Sequence, residues 1–243
     1  MPIEIGTIEA IFRYPVKSMR GEAVDAATLG WHGIDGDRRI AIRRRGVGGG
    51  FPWLSASSLP DLINFTPLRQ EEGNGDALPT HVRTPEGQEM PLFGEALAAD
   101  IERRYGSSVE MTQLRNGIFD ESDVSVIATR TVNEICRLAG AAADVRRFRP
   151  NIAIRSVRAV PFEEDDWVGG LLMFGDADDA PAVTITMRDV RCSMVNLNPD
   201  GGGHTPEMLK AVVRVNQNHA GVYGTVVRIG RLAVGQSVVL HRY

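Results

Sequence analysis

Val222-Tyr223-Gly224-Thr225-Val226-Val227-Arg228, Arg231-Leu232-Ala233 and Ser237-Val238-Val239-Leu240-His241 are three short β-forming runs separated by Gly230 and Gly235. Runs this short, rich in β-branched residues and punctuated by glycine, read as strands of a sandwich or barrel rather than of a wound α/β sheet. The same texture continues back along the chain. Strands are expected at 3–11, 39–42, 64–69, 80–84, 88–92, 109–114, 124–127, 152–156, 171–174, 182–187 and 193–197. Three helices interrupt them. One covers Glu95 to Tyr105 and stops at Gly106, the position of a C-cap. A second is signalled by Thr131-Val132-Asn133-Glu134, which has capping-box spacing. A third opens at Thr205-Pro206-Glu207, with a hydroxyl N-cap and proline at the first position. Segment 71–79 reads as a polar loop and 115–123 as a polar connection between two halves. The expected fold is mixed α+β and mainly β: two packed β-barrel-like domains, 1–114 and 115–243, with a few flanking helices.

The chain has 243 residues, enough for one large β-rich unit or two small ones. Hydrophobic residues at 43% and charged residues at 24% give the balance of a globular protein, not a disordered one. No apolar run approaches the roughly 18 residues that span a membrane, and Glu4 and Glu9 interrupt the N-terminal stretch where an export signal would be apolar. No membrane association is expected, and a cytoplasmic setting with reduced thiols is. Two cysteines, Cys136 and Cys192, exclude a disulfide scaffold, a four-cysteine zinc site and an iron–sulfur cluster held by four thiolates of this chain. All basic residues except Lys17 and Lys210 are arginine. The net charge of −4 nevertheless argues against nucleic acid as a partner.

Several active-site signatures are absent, among them G-x-S-x-G, H-E-x-x-H and the Walker loop. Arg43-Arg44-Arg45 followed by Gly46-Val47-Gly48-Gly49-Gly50 has a phosphate-loop composition. Phe51 stands where a third glycine is needed, so a hairpin with a basic, solvated tip is expected instead. Five scattered histidines lack metal-ligand spacing. Glu163-Glu164-Asp165-Asp166 reads as a solvated acidic loop, with Trp167 after it in a fixed structural role. Cys136, beside Ile135 and Leu138, reads as a buried structural thiol. Cys192 follows Arg188 and Arg191 at a strand end. That setting favours thiolate, the form that attacks electrophiles or binds soft metals. The residues alone leave a reactive and a buried thiol equally open.

Five motifs in order carry a resemblance. Arg147-Phe148-Arg149-Pro150-Asn151-Ile152, Pro161 to Trp167, and Arg191-Cys192 with Asn198-Pro199-Asp200-Gly201 resemble successive signatures of the MOSC domain, named after the C-terminal domain of molybdenum cofactor sulfurase. Tyr14-Pro15-Val16-Lys17-Ser18 and Gly36-Asp37-Arg38-Arg39 resemble the β-barrel domain that precedes it in the mitochondrial amidoxime-reducing component and its bacterial relatives. The resemblance implies a molybdenum–pterin protein in which Cys192 ligates the metal. By motif position it implies cofactor contacts from Lys17, Ser18, Arg38, Ser122, Asp123, Arg149, Asn151, Arg191 and Tyr223. Asp123 departs from the family's Thr-Ser pair, Arg39 stands where relatives often have an aromatic residue, and Val190 where some have serine. The implied activity is reduction of N-hydroxylated compounds such as amidoximes or hydroxylamines. With no cluster cysteines in this chain, the electrons would come from a separate flavodoxin, ferredoxin or cytochrome partner. The rival readings are a non-catalytic carrier of molybdenum cofactor or sulfur, and a metal-free thiol enzyme pairing Cys192 with His204 or His219.

Overall fold

The computed structural model describes residues 2–69, 78–158 and 160–242. The polar loop expected at 71–79 lies mostly outside the described residues. In chain order the first strands are Ile3–Arg13 (β1), Glu22–Val24 (β2), Ala26–Gly30 (β3), Gly33–Ile34 (β4), Ile40–Arg44 (β5), Thr66–Leu68 (β6), His81–Arg83 (β7) and Glu89–Pro91 (β8). Helix Glu95–Tyr105 (α1) and strand Val109–Gln113 (β9) complete the first half. The second half runs through Val124–Ala128 (β10), Thr129–Leu138 (α2), Ile152–Ser156 (β11), Leu171–Phe174 (β12) and Ala182–Val190 (β13). It ends with Glu207–Asn216 (α3), His219–Arg228 (β14), Gly230–Ala233 (β15) and Ser237–His241 (β16). The protein is the mainly β, mixed fold that its sequence pattern predicts. Among the described residues no helix is long and apolar enough to cross a membrane.

Strand β1 decides the topology. Its first half pairs with β16, its middle with β11 and its end with β2, all antiparallel. Those pairings close a ring in the order β11-β10-β14-β13-β12-β16-β1, a seven-stranded barrel in which only β10 and β11 run parallel. Ring closure removes the unpaired edges that invite aggregation. Inside it pack Ile8, Ile11, Val126, Ile154, Phe174 and Leu240, together with Trp167, the fixed residue expected after the acid run. The first strand of the chain is thus a stave of the barrel otherwise built by the second half.

The rest of the first half forms small sheets, β3 with β4 and β15, β5 with β9, and β6-β7-β8. They cover a second core of Val16, Ile40, Leu54, Leu62, Phe65 and Leu97. Helix α1 ends as expected: Gly106 adopts a left-handed φ of 84° and its N–H bonds Glu102. Arg44 turns into the expected hairpin, with Arg43 bridged to Trp53. A third core, between α2, α3 and the barrel wall, buries Ile135, Cys136, Phe148, Met208 and Val212. Cys136 is a buried structural thiol, and burial raises its pKa.

Four local expectations are corrected. Residues 193–197 form a 3₁₀ turn, Ser193–Asn196, rather than a strand, because Val195 and Leu197 close local bonds onto Cys192 and Met194. The α2 helix starts at Thr129, and the Thr131–Glu134 capping box does not form. The Thr131 hydroxyl instead donates to Glu164 and accepts from the Phe162 N–H. Helix α3 has no cap from its neighbouring hydroxyl. The Asn196 side chain, thirteen residues upstream, accepts the Leu209 N–H at 2.9 Å. The acid run is a 3₁₀ turn that buries Glu163 and Glu164, not a solvated loop.

Candidate functional site

At the end of β1 the chain bends through Tyr14-Pro15 and comes beside β5, where the Lys17 N–H bonds the Ile40 carbonyl at 2.7 Å. Asp37, fully buried, fixes the other side of this bend. One of its carboxylate oxygens accepts the Tyr14 N–H and the other accepts from Arg38 at 2.6 Å. Ser18, Arg38 and Arg149 all have left-handed φ values, 69°, 44° and 50°. Such conformations are costly for side chains with a Cβ and collect at functional sites.

These turns gather charge. The Arg38 guanidinium lies 4.9 Å from the Tyr14 ring centre and that of Arg149 lies 4.1 Å from it. Arg38 also donates to the Arg149 carbonyl, to Asn151 and, through Nε, to Asp120 at 2.6 Å. Lys17 Nζ donates to the Phe119 carbonyl and lies 3.8 Å from Asp120. Burial holds the Lys17 ammonium below its ordinary pKa, with the Asp120 charge opposing that shift. Burial alone would raise Asp120, yet Arg38 and Lys17 hold its carboxyl below the usual range. Burial pushes Arg149 down to about 10 and Tyr14 up to about 12.

Next to this cluster stands a second one on the barrel wall. Asp189 pairs with Arg191 at 2.6 Å and accepts from Ser125, and burial raises it to about 6. Tyr223 sits against Asp189, Asp120, Arg191 and Arg38; burial, then the two carboxylates, raise its phenol. Arg191 also donates to the carbonyls of Ala220 and Phe148. Gly221, at φ 83°, makes room for it, since a Cβ there would lie 3.0 Å from the guanidinium.

Cys192 is exposed, at the N-terminal edge of the 3₁₀ turn, with the Ser57 hydroxyl 3.6 Å from its sulfur. The arginines beside it in sequence do not serve the thiol. Arg188 is engaged by Asp165 and Asn216, and Arg191 by the contacts above. Lys17, 175 positions away in the chain, lies within reach of the thiol: Cys192 is the weakest of the charges acting on its ammonium. Neither His204 nor His219 supplies the hydrogen bond that Cys192 receives; Ser57 does.

The structure therefore brings Lys17, Arg38, Arg149, Arg191 and Tyr223 into one charged region near Cys192. Ser18 meets it through Met194, 4.0 Å from its hydroxyl. Asn151 is buried and bonds Ser125, Phe12 and Arg38, so it acts here as a strut for Arg38. Ser122 and Asp123 are elsewhere engaged, bonding the Gly224 carbonyl and the Val226 N–H and fastening the start of β10 to β14. Tyr14, Asp37, Ser57, Asp120 and Asp189 belong to the region although sequence reasoning did not single them out. Tyr14 and Asp37 lie inside quoted motifs, but Asp120 lies in a connecting loop that carries no signal of its own.

Among the described residues no three His, Cys, Asp or Glu side chains gather to hold a metal ion. The donor set is a single exposed thiol beside buried and half-buried cations. That set suits a metal group that brings most of its own ligands together with an anionic tail.

The MOSC domain family matches residues 98–239, and the MOSC N-terminal beta barrel domain matches residues 5–123. No curated protein matches. Among solved structures, the YuaD protein from Bacillus subtilis is similar over 100% of this chain and 98% of its own, with 15% identity and a TM-score of 0.54. That likeness extends to the fold alone. YiiM from Geobacillus stearothermophilus aligns over 50% of this chain and 55% of its own, at 16% identity and a TM-score of 0.39. The chain belongs to the MOSC domain family, its MOSC domain preceded by a MOSC N-terminal beta barrel domain.

Proposed function

We propose that this protein binds the molybdenum cofactor with Cys192 as metal ligand and reduces N-hydroxylated compounds in the cytoplasm, using electrons from a separate donor protein. The observation that carries the reading is the exposed Cys192 thiol beside the buried Arg38 and the half-buried Lys17 and Arg149. In this reading Lys17, Ser18 and Arg38 receive the cofactor phosphate, and Arg149, Arg191 and Tyr223 face the pterin's hydrogen-bonding edges. Asn151 holds Arg38 in place. When bound, the cofactor supplies the redox chemistry of oxygen-atom removal, refilled by single electrons. The chain's own part is to present a soft thiolate, to set cations against the phosphate, and to shield the site between its two halves.

Metal analysis of protein made in a cofactor-competent host tests the ligand assignment. Wild type is expected to carry about one molybdenum per chain and Cys192→Ala none. Equal molybdenum in both overturns it. Loaded protein with an artificial electron donor is expected to reduce an amidoxime. Stable pterin binding without any turnover would assign the carrier role instead.

A further inference from the structure

Arg43-Arg44-Arg45 and the glycines that follow take no part in the site described above. Between Asp37 and Asp61 the chain has five arginines and no acid, in a protein whose net charge is −4. The hairpin is set by the Arg44 N–H on the Pro52 carbonyl at 2.9 Å and the Leu54 N–H on the Ile42 carbonyl at 2.7 Å. A Cβ at Gly46, Gly48, Gly49 or Gly50 would meet nothing within 4 Å among the described residues, so the tip projects from the surface. Arg43 and Arg45 share one carboxylate, that of Glu110, at 3.1 and 3.5 Å. Arg44 reaches the carbonyls of Phe51 and Pro52, with no carboxylate within 4 Å among the described residues. Three guanidinium groups against one carboxylate leave the hairpin positive. Phe51, 55% exposed, adds a large apolar ring to it.

The arm that returns from the tip runs to the thiol. Lys17 Nζ lies 5.5 Å from the centre of the Phe51 ring. The Trp53 ring meets Phe119 edge-on, 4.5 Å between centres, and Phe119 in turn accepts from Lys17. Leu54 is buried in the second core, and the Ser57 hydroxyl is 3.6 Å from the Cys192 sulfur. The chain from Phe51 to Ser57 can span at most about 20 Å. The positive hairpin is therefore fixed to the rim of the candidate site. A partner that merely holds this chain could dock on any face, whereas one that passes charge to the site must dock at its rim. Arginine and aromatic side chains are the types that anchor protein interfaces, and the excess positive charge selects an acidic partner.

We propose that the Arg43–Arg45 hairpin with Phe51 is the docking surface for a small acidic electron-carrier protein. The three arginines face its carboxylates and Phe51 packs on its apolar surface. The assignment rests on the reductase reading and adds where the donor lands. Two encounters oxidise two one-electron carriers; the two electrons, with two protons from solvent, convert an N–OH group to N–H and water. Encounters of this kind bury less than about 1,200 Å² and draw on charge for rate more than for affinity.

Isothermal titration of metal-free full-length protein with an acidic [2Fe–2S] ferredoxin tests the surface without relying on turnover. Binding is expected with Kd below about 100 μM at about 50 mM salt, and about tenfold weaker at about 300 mM. Arg43→Glu combined with Arg45→Glu is expected to weaken it at least about tenfold, and Phe51→Ala about three- to tenfold. Arg231→Glu, an exposed charge on β15, is expected to leave it unchanged. Unfolding midpoints establish that each variant is folded. No binding, or equal binding by the hairpin variants, would overturn the proposal. So would tighter hairpin-dependent binding of duplex DNA or of vesicles of phosphatidylserine and phosphatidylcholine. In cofactor-loaded protein the double variant is expected to keep amidoxime reduction by reduced methyl viologen and to lose most of that supported by ferredoxin. Viologen turnover without hairpin-dependent ferredoxin binding rejects the docking surface and leaves the reductase reading standing. No turnover with either donor rejects the reductase reading, and the donor role with it, even where binding persists.

Discussion

Asp120 occupies the position between Lys17 and Arg38 that an anionic ligand would need. A carboxylate there neutralises a buried and a half-buried cation in the ligand-free chain and competes with any incoming phosphate. Asp120→Asn keeps the shape and removes the competing charge. Inorganic phosphate is expected to bind this variant about tenfold tighter, roughly 1.4 kcal/mol, in a titration at fixed ionic strength. Arg38 keeps Asp37 as a partner, so the fold is expected to survive. Glu164 illustrates a different effect of burial. Its desolvation raises it to about 7, against a weaker opposing bond from Thr131. An acid raised on folding holds its proton more tightly in the native state. Its contribution is therefore fully present below about 4.5, the unfolded value, and is lost as pH rises towards 7. The loss is on the order of 3 kcal/mol. Glu164→Gln keeps an acceptor for Thr131, and is expected to flatten that decline and to raise the unfolding free energy at pH 8. Denaturant titrations at pH 5 and pH 8 check this, and an unchanged slope between them would refute the assignment.

At the scale of the element, the 3₁₀ turn Ser193–Asn196 links the thiol to a helix. Cys192 begins it, Met194 meets the Ser18 hydroxyl, and Asn196 caps α3 in place of the local hydroxyl. Local sequence signalled a cap at Thr205, but the tertiary fold brings a better acceptor to the Leu209 N–H. Asn196→Ala is expected to cost about 1 kcal/mol, or roughly 2–4 °C in Tm, by calorimetry. Thr205→Ala is expected to cost less, since the Thr205 side chain caps nothing. The same contrast explains α2. Thr131 and Glu134 have the right spacing for a capping box, but Glu164 and Phe162 offer Thr131 a buried alternative while Glu134 pairs with Arg137.

For the whole molecule the decisive feature is β1. It contributes Ile5, Ile8 and Ile11 to the barrel core and closes the ring between β16 and β11. A fragment of residues 115–243 therefore lacks one of seven staves and exposes two strand edges. It is expected to aggregate or to show no cooperative unfolding, and a fragment restored with residues 1–13 to regain protection of β11 and β16 amides in hydrogen exchange. Independent cooperative folding of 115–243 would refute this. Much of the protein was legible in the chain itself. The short glycine-punctuated runs at 222–241 specified strands, Gly106 stopped α1, and ordered motifs singled out Lys17, Arg38 and Arg149, which the fold brings together. Periodicity and turn chemistry are local, so sequence carries them directly. At 193–197 the pattern predicts a strand and the chain forms a 3₁₀ turn, because a short apolar run packs equally well as strand or turn until its neighbours are in place. Burial of Glu163 and Glu164, the approach of Ser57 to Cys192, and the placement of Asp120 depend on residues far apart in the chain. Sequence by itself determined the strand-rich fold, the helix stop and the buried place of Cys136, because those follow from each segment's own chemistry. Only the tertiary structure decided which charges meet and which are buried, because distance and desolvation exist only once the chain has closed on itself.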